Sequence, residues 1–267
     1  MKTIRTGIAT LFCLALLSTS PLVRAADYTL VVQPILPKDD LVRAYTPLTQ
    51  YLTRQTGENI QLVTAPNFLG YWERSKQEGV YDFVLDAAHL TAFRIDRMGY
   101  EPLAKLPDVV SFSLVTGPDT LMFEANDLVG KRLATLGSPS LGAVRLAEMF
   151  PNPMRQPIIV EVDDSAQAVS KVLNGEVVAA MIPSPLVQAT PGLNTVTQTA
   201  QVPHMALSAS PRVPTELKAK VREALIQASQ TPAGQAMLQR VNLPGFVPAS
   251  ADQYDGYSVL LEGLWGY

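Results

Sequence analysis

The sequence predicts an α/β protein of two lobes. Each lobe is a mixed, mostly parallel sheet flanked by helices, and two crossovers join them. Three observations carry this. Short apolar runs alternate with amphipathic helical segments in a βαβ order over the first hundred residues. A second series of the same plan follows further along. The chain has 267 residues, 47% hydrophobic and 17% charged, which is enough to bury two modest cores.

The first series begins with a strand from Tyr28 to Val32, followed by a proline-rich turn, Gln33 to Pro37. Thr46-Pro47 reads as a helix start, because proline in the first turn lacks only an N–H that has no partner there. Leu48, Tyr51 and Leu52 form the apolar stripe of that helix, and Gly57 ends it. Ile60 to Val63 is the next strand. Asn67 caps a helix carrying Phe68, Tyr71 and Trp72. Val80 to Leu85 is a short apolar run broken by one acid, as in a central parallel strand. Asp86 stands where an N-cap belongs, and the following helix runs to Gly99. Tyr100 to Leu106 is extended. Tyr81-Asp82 reads as structural, the acid turned to a backbone donor or a lobe edge.

Residues 109 to 116 carry the chain into the second lobe. Leu133 to Leu136 is a strand, and Gly137-Ser138-Pro139-Ser140 opens a helix reaching Phe150. Ile158 to Val162 is a strand, and Asp164-Ser165-Ala166-Gln167 has the spacing of a capping box for a helix ending at Asn174-Gly175. Val177 to Ile182 is a buried strand. Pro183 to Pro214 holds the return crossover and an extended strand near Met205 to Ala209. Thr215 to Ala228 is an amphipathic helix, and Thr231-Pro232 starts another. The tail bears Phe246, Tyr254, Tyr257, Leu260, Leu261, Leu264 and Trp265, too much apolar surface to be left loose. Residues 26–108 with 200–267 thus make lobe 1, and residues 109–199 make lobe 2.

Residues 1–25 read as a secretory signal peptide. Lys2 and Arg5 form its basic start, Ile8 to Leu17 its apolar segment, and Val23-Arg24-Ala25 its cleavage site. Cys13, the sole cysteine, falls inside it, so the mature chain has neither a disulfide nor a thiol nucleophile. The segment also carries Lys2, Arg5 and Arg24 and no acid. The 21 basic residues less those three leave 18 against 24 acidic ones, a net charge of −6. That charge, with no Lys/Arg cluster, disfavours a nucleic-acid partner. No G-x-S-x-G or H-E-x-x-H motif is present, and no nucleophile stands next to a base. No catalytic residue, cofactor or metal is therefore assigned. An enzyme using Asp86 and His89 ranks last among the functional readings.

Two α/β lobes behind a signal peptide, without catalytic motifs, describe a hinged binding protein of the periplasm, with its ligand held between strand ends and helix N-termini. Six segments add a family resemblance. They are Tyr45-Thr46-Pro47-Leu48 with Tyr51-Leu52 and Gly57; Ala65-Pro66-Asn67-Phe68; Gly79-Val80-Tyr81-Asp82-Phe83; Gly99 to Ala104; Asp127 to Lys131; and Asn174 to Ala180. In order and spacing the chain resembles the phosphonate/phosphate/phosphite-type solute-binding proteins that serve ABC transporters, over most of residues 28 to 260. The resemblance implies the type II-like two-lobed periplasmic-binding-protein fold and a small polar ligand, an oxyanion or phosphonate-like compound. It also implies a membrane permease or sensor as partner, and a monomer is the default.

The resemblance implies a ligand site as well. Phe68 stands at the place of an aromatic ligand-binding tyrosine, and Asp86 at that of a second tyrosine. The family's Ser-Thr-Ser-Gly loop is here Pro139-Ser140-Leu141-Gly142, with Ser138 just outside the register. Asp164 replaces a histidine. The acidic positions that read an amino group fall near Ser184 and near His204-Met205. Tyr45 joins Phe68 as a candidate aromatic wall, and His89 lies beside Asp86. Each nominated residue has a plainer reading. Asp86 and Asp164 are helix caps, Ser138 a cap before Pro139, His89 a first-turn residue, and the aromatics core. Asp86 and Asp164 would both repel an incoming dianion, so the ligand is not taken over from the family. Two alternatives accompany the transport reading. One is a protein-interaction or sensor-partner module with a degenerate anion loop. The other is a metal- or cation-binding variant using Asp86, His89, Asp164 and His204.

Overall fold

The computed structural model describes residues 27–77 and 79–264. The signal segment and Trp265 lie outside the described residues. The chain runs β1 (Asp27–Val32), α1 (Lys38–Thr56), β2 (Asn59–Val63), α2 (Phe68–Ser75), β3 (Phe83–Asp86), α3 (Ala88–Met98) and β4 (Glu101–Lys105). It crosses over through β5 (Val109–Val110) to β6 (Phe112–Thr116), β7 (Arg132–Leu136), α4 (Leu141–Met149), β8 (Ile158–Val162), α5 (Ser165–Leu173), β9 (Ala179–Pro183), α6 (Ser184–Gln188) and β10 (Asn194–Gln198). It returns through β11 (Val202–Pro203) to β12 (Ala206–Ala209), α7 (Thr215–Ile226), α8 (Pro232–Val241) and β13 (Val247–Pro248), and ends in two short 3-10 segments.

Two sheets result. The first has the order β13-β4-β12-β3-β1-β2, and the second β10-β6-β9-β7-β8. In the first, β1 runs parallel to β2 and β3, while β12 is antiparallel to both β3 and β4. In the second, β7 runs parallel to β8 and β9, and β6 is antiparallel to β9 and β10. The ladder between β5 and β11 lies where the chain passes from one sheet to the other and back.

Each sheet buries both faces. Along β1, Leu30 and Val32 face a core shared with Leu48 and Leu52 of α1, Val221 of α7 and Leu238 of α8, while Val31 faces the opposite core with Tyr71 and Leu90. Tyr254 and Leu261 of the apolar tail are fully buried in that second core. Leu141 and Val144 of α4, which belong to the other lobe, are buried in the same core. The two lobes therefore touch through side chains of α4.

Several local expectations are corrected. The helix expected to begin at Thr46 begins at Lys38 and carries Pro47 in its interior. Leu41, Tyr45, Leu48 and Leu52 recur at helical spacing and are all buried. That burial outweighs the ~3 kcal/mol an interior proline costs. The strand expected from Val80 starts at Phe83, because the Asp82 N–H is given to the Thr29 hydroxyl (3.1 Å) instead of a ladder carbonyl, while its carboxylate accepts from Thr29 N–H (2.8 Å) and Arg212 (2.8 Å). Asp86 is the last residue of β3 and not a cap. Ala87 occupies the N-cap of α3, with no side-chain bond to the helix. Ser140 caps α4, in place of Ser138. Residues 183–214 also contain α6 and β10, which their Pro/Thr/Ser composition concealed.

Candidate functional site

The C-terminal ends of the parallel strands of both sheets point at one gap. Gln33 follows β1, Ala87 follows β3, Ser140 lies on the loop after β7, Asp164 follows β8, and Pro183 closes β9. All five line a cavity of about 460 Å³ between the sheets. Placement at the carboxyl ends of strands is the general rule for ligands in open α/β sheets. A second cavity of about 460 Å³ adjoins it, sharing Leu36 and Phe68 and adding Lys38, Ser138, Glu161 and Asp163.

The inner cavity is apolar on both walls. Ile35, Leu36 and Phe68 come from one lobe, and Leu136, Leu141 and Leu186 from the other. Its polar groups are few, and most are committed. The Ser140 hydroxyl donates to the Leu136 carbonyl (3.1 Å) and accepts from Ala143 N–H (3.2 Å). Asp164 accepts from Gln167 N–H (2.7 Å) as the cap of α5. Gln33 is 5% exposed, and its side-chain oxygen accepts from Ala87 N–H (3.2 Å). Its NH2 group has no acceptor among the described residues. The Nδ1 of His204 accepts from Met205 N–H (2.8 Å), which leaves the ring proton of the neutral form on Nε2. Burial, assisted by Lys105, lowers the pKa of His204 and keeps that neutral form.

Of the residues the sequence nominates, Phe68, Ser140, Asp164 and His204 line the inner cavity, and Ser138 lines the adjoining one. Tyr45, Asp86, His89 and Ser184 line neither. Tyr45 sits in the core beneath the first sheet, where burial pushes its hydroxyl up to about 12. Ser184 is held in a hydroxyl cluster with Ser111 (3.0 Å) and Ser113 (2.8 Å). His89 is fully buried, with Nε2 donating to the Pro139 carbonyl (2.8 Å) across the two lobes. Burial there lowers its pKa to about 4.

Asp86 is corrected both as ligand contact and as helix cap. It is 0% exposed and accepts from Arg94 Nε (2.5 Å) and from the Tyr71 hydroxyl. Arg94 also reaches the Tyr71 oxygen (2.8 Å) and Ser75 (3.0 Å), and lies against the rings of Tyr71 and Tyr100. Burial disfavours the Arg94 cation, but Asp86 and Tyr71 more than offset it, so its pKa is raised. The acid is therefore neutralised inside lobe 1 and presents no charge to the cleft. Asp86, His89, Asp164 and His204 do not assemble as a metal site, and no cluster of three His, Cys, Asp or Glu able to hold an ion occurs among the described residues.

Sequence reasoning missed Arg94 and Gln33. The signal for Arg94 was a cation one residue after Phe93 on the buried side of α3, eight residues from an acid at a strand end. The signal for Gln33 was a polar residue directly after an apolar strand, at its carboxyl end.

A family model described as "ABC transporter, phosphonate, periplasmic substrate-binding protein" matches residues 30–254. No curated protein matches by sequence. Among solved structures, PhnD1 of Prochlorococcus marinus (MIT 9301), in complex with methylphosphonate, is similar at 11% identity, with 88% of this chain and 97% of that chain covered and a TM-score of 0.74. A binding protein component of an ABC phosphonate transporter from Pseudomonas aeruginosa is similar at 14% identity, covering 86% and 84%, with a TM-score of 0.71. XAC2383 from Xanthomonas citri, bound to ATP, is similar at 15% identity, covering 88% and 95%, with a TM-score of 0.69. Identities this low speak to the fold alone, the two-lobed fold of periplasmic binding proteins. The family match takes in both sheets of the structure, and the chain belongs to the phosphonate-type periplasmic substrate-binding proteins of ABC transporters.

Proposed function

We propose that this chain captures a small solute in the gap between its sheets and presents it to a membrane permease. In this reading residues 1–25 are cleaved on export and the mature protein works as a monomer. Residues 26–108 with 200–267 move against residues 109–199 about the β5/β11 ladder. Phe68, Ser138, Ser140, Asp164 and His204 are the proposed ligand neighbours. The observation that carries the reading is the convergence of five strand ends from two sheets on one cavity of about 460 Å³, within the range of small-molecule sites.

Native mass spectrometry of the protein taken directly from the periplasm tests it. A discrete adduct of a few hundred daltons, lost on denaturation, is the expected result. Protein that carries no adduct, and whose melting temperature is unmoved by oxyanions, organic acids, amines and alcohols, would remove the basis for solute capture.

A further inference from the structure

We propose that the ligand is an amphipathic monocarboxylate, an organic acid whose apolar body fills the inner cavity, and not a phosphonate or phosphate dianion. The inference rests on the cleft being the solute site. Three observations lead to it.

The first is the wall. Ile35, Leu36 and Phe68 face Leu136, Leu141 and Leu186 across the gap. A compact oxyanion enclosed there would lose its hydration on most sides without replacement, whereas a hydrocarbon body gains from the same surface. The second is charge. Among the described residues no lysine or arginine lines this cavity, but Asp164 does. Repulsion scales with the product of the charges, so a dianion beside Asp164 is penalised about twice as much as a monoanion.

The third is the donor set, which is small and uncharged; besides the groups of the first lobe, Ser165 of α5 lines the cavity with a hydroxyl that makes no hydrogen bond among the described residues. Gln33, 5% exposed, lines the cavity, and its NH2 has no acceptor among the described residues. Its oxygen is fixed on Ala87 N–H, so the group offers donors only. The Nε2–H of His204 is a second donor from a cavity-lining residue. Ala87, the N-cap of α3, also lines the cavity, but its N–H is already given to the Gln33 side chain (3.2 Å). Donors without a fixed cation suit a head of two oxygens and one charge better than one of three oxygens and two charges. A volume of about 460 Å³ leaves room for an alkyl or aryl body beyond the head.

The test is calorimetric titration of ligand-free protein with octanoate and phenylacetate. Alkylphosphonates and primary amides of the same bodies are titrated in parallel, together with inorganic phosphate. The expected result is that the carboxylates bind at least tenfold more tightly than the matched phosphonates and amides. Ala166→Trp, at an exposed position of α5 that lines the cavity, should abolish that binding without lowering the melting temperature. Phosphonates or phosphate binding as tightly as the carboxylates would overturn the inference while leaving solute capture standing. So would amides binding equally well, or carboxylate binding that survives Ala166→Trp. Failure of every compound to bind would also overturn the inference, and solute capture would then stand or fall with the native mass spectrum.

Discussion

Asp86 and Arg94 form a buried ion pair, 0% and 1% exposed. One nitrogen of Arg94, Nη1, has no partner among the described residues. Such a pair adds little net stability, because both ions were desolvated to form it, but breaking it leaves a lone charge in the core. Asp86→Asn should therefore destabilise the protein by about 3–5 kcal/mol, read as a lowered urea midpoint with an unchanged slope. Replacing both partners, as Asp86→Leu with Arg94→Met, should recover most of that loss, because no charge is then stranded. Neither residue lines the inner cavity or the one adjoining it, so ligand affinity of the folded fraction should be the same in both variants. A weakened affinity with stability intact would return Asp86 to the ligand site.

At the scale of elements, caps and close approaches decide where helices start. Asn67, Ser140, Asp164 and Thr231 each accept a backbone N–H of the helix that follows, and three of those caps were readable as Asn or Asp/Thr before an apolar run. Gly234 in the first turn of α8 presents the opposite case. A Cβ there would fall 2.2 Å from the Ala228 carbonyl oxygen and 2.4 Å from its Cα. Helix propensity alone favours Gly→Ala by about 1 kcal/mol, but this contact is with backbone and cannot turn aside. Gly234→Ala should therefore destabilise, by about 1–3 kcal/mol, and a raised melting temperature would refute the packing argument.

Across the whole molecule, the lobes meet through Leu141 and Val144 and through the hydrogen bond from His89 to Pro139. Burial holds the pKa of His89 at about 4 against 6.5 when exposed; Pro139 and Asp86 act to raise it, and Arg145 to lower it. The unfolded chain therefore binds more protons than the folded one between those two values. The sign follows: stability is complete above pH 6.5 and falls as the pH drops from 6.5 towards 4, by an amount on the order of a few kcal/mol. His204, also lowered, acts in the same direction. His89→Gln keeps an N–H donor for Pro139 but cannot take the proton. Its melting temperature should fall less than the wild type's between pH 7 and 5. Parallel curves would place the acid sensitivity elsewhere.

How much of this was legible beforehand depended on range. Periodicity located β1, β2, β7, β8, α5 and α7 because each buries a face whose spacing is local. The family's motifs, with Gly57, Gly99 and Gly175 at left-handed positions, were likewise legible, since a positive φ selects glycine whatever surrounds it. What lay beyond the sequence was partner choice. Asp86 reads as a cap next to Ala87 and Ala88, and only the fold brings Arg94 and Tyr71 to it. Nothing local says that β12 enters between β3 and β4, or that Tyr45 points away from the cleft while Gln33 lines it. The sequence by itself determined two α/β lobes and their family, because those follow from the spacing of apolar residues and glycines along the chain. Only the tertiary structure decided which polar groups are already satisfied and which remain open to a ligand, because hydrogen bonds and ion pairs are settled by proximity in space between residues far apart in sequence.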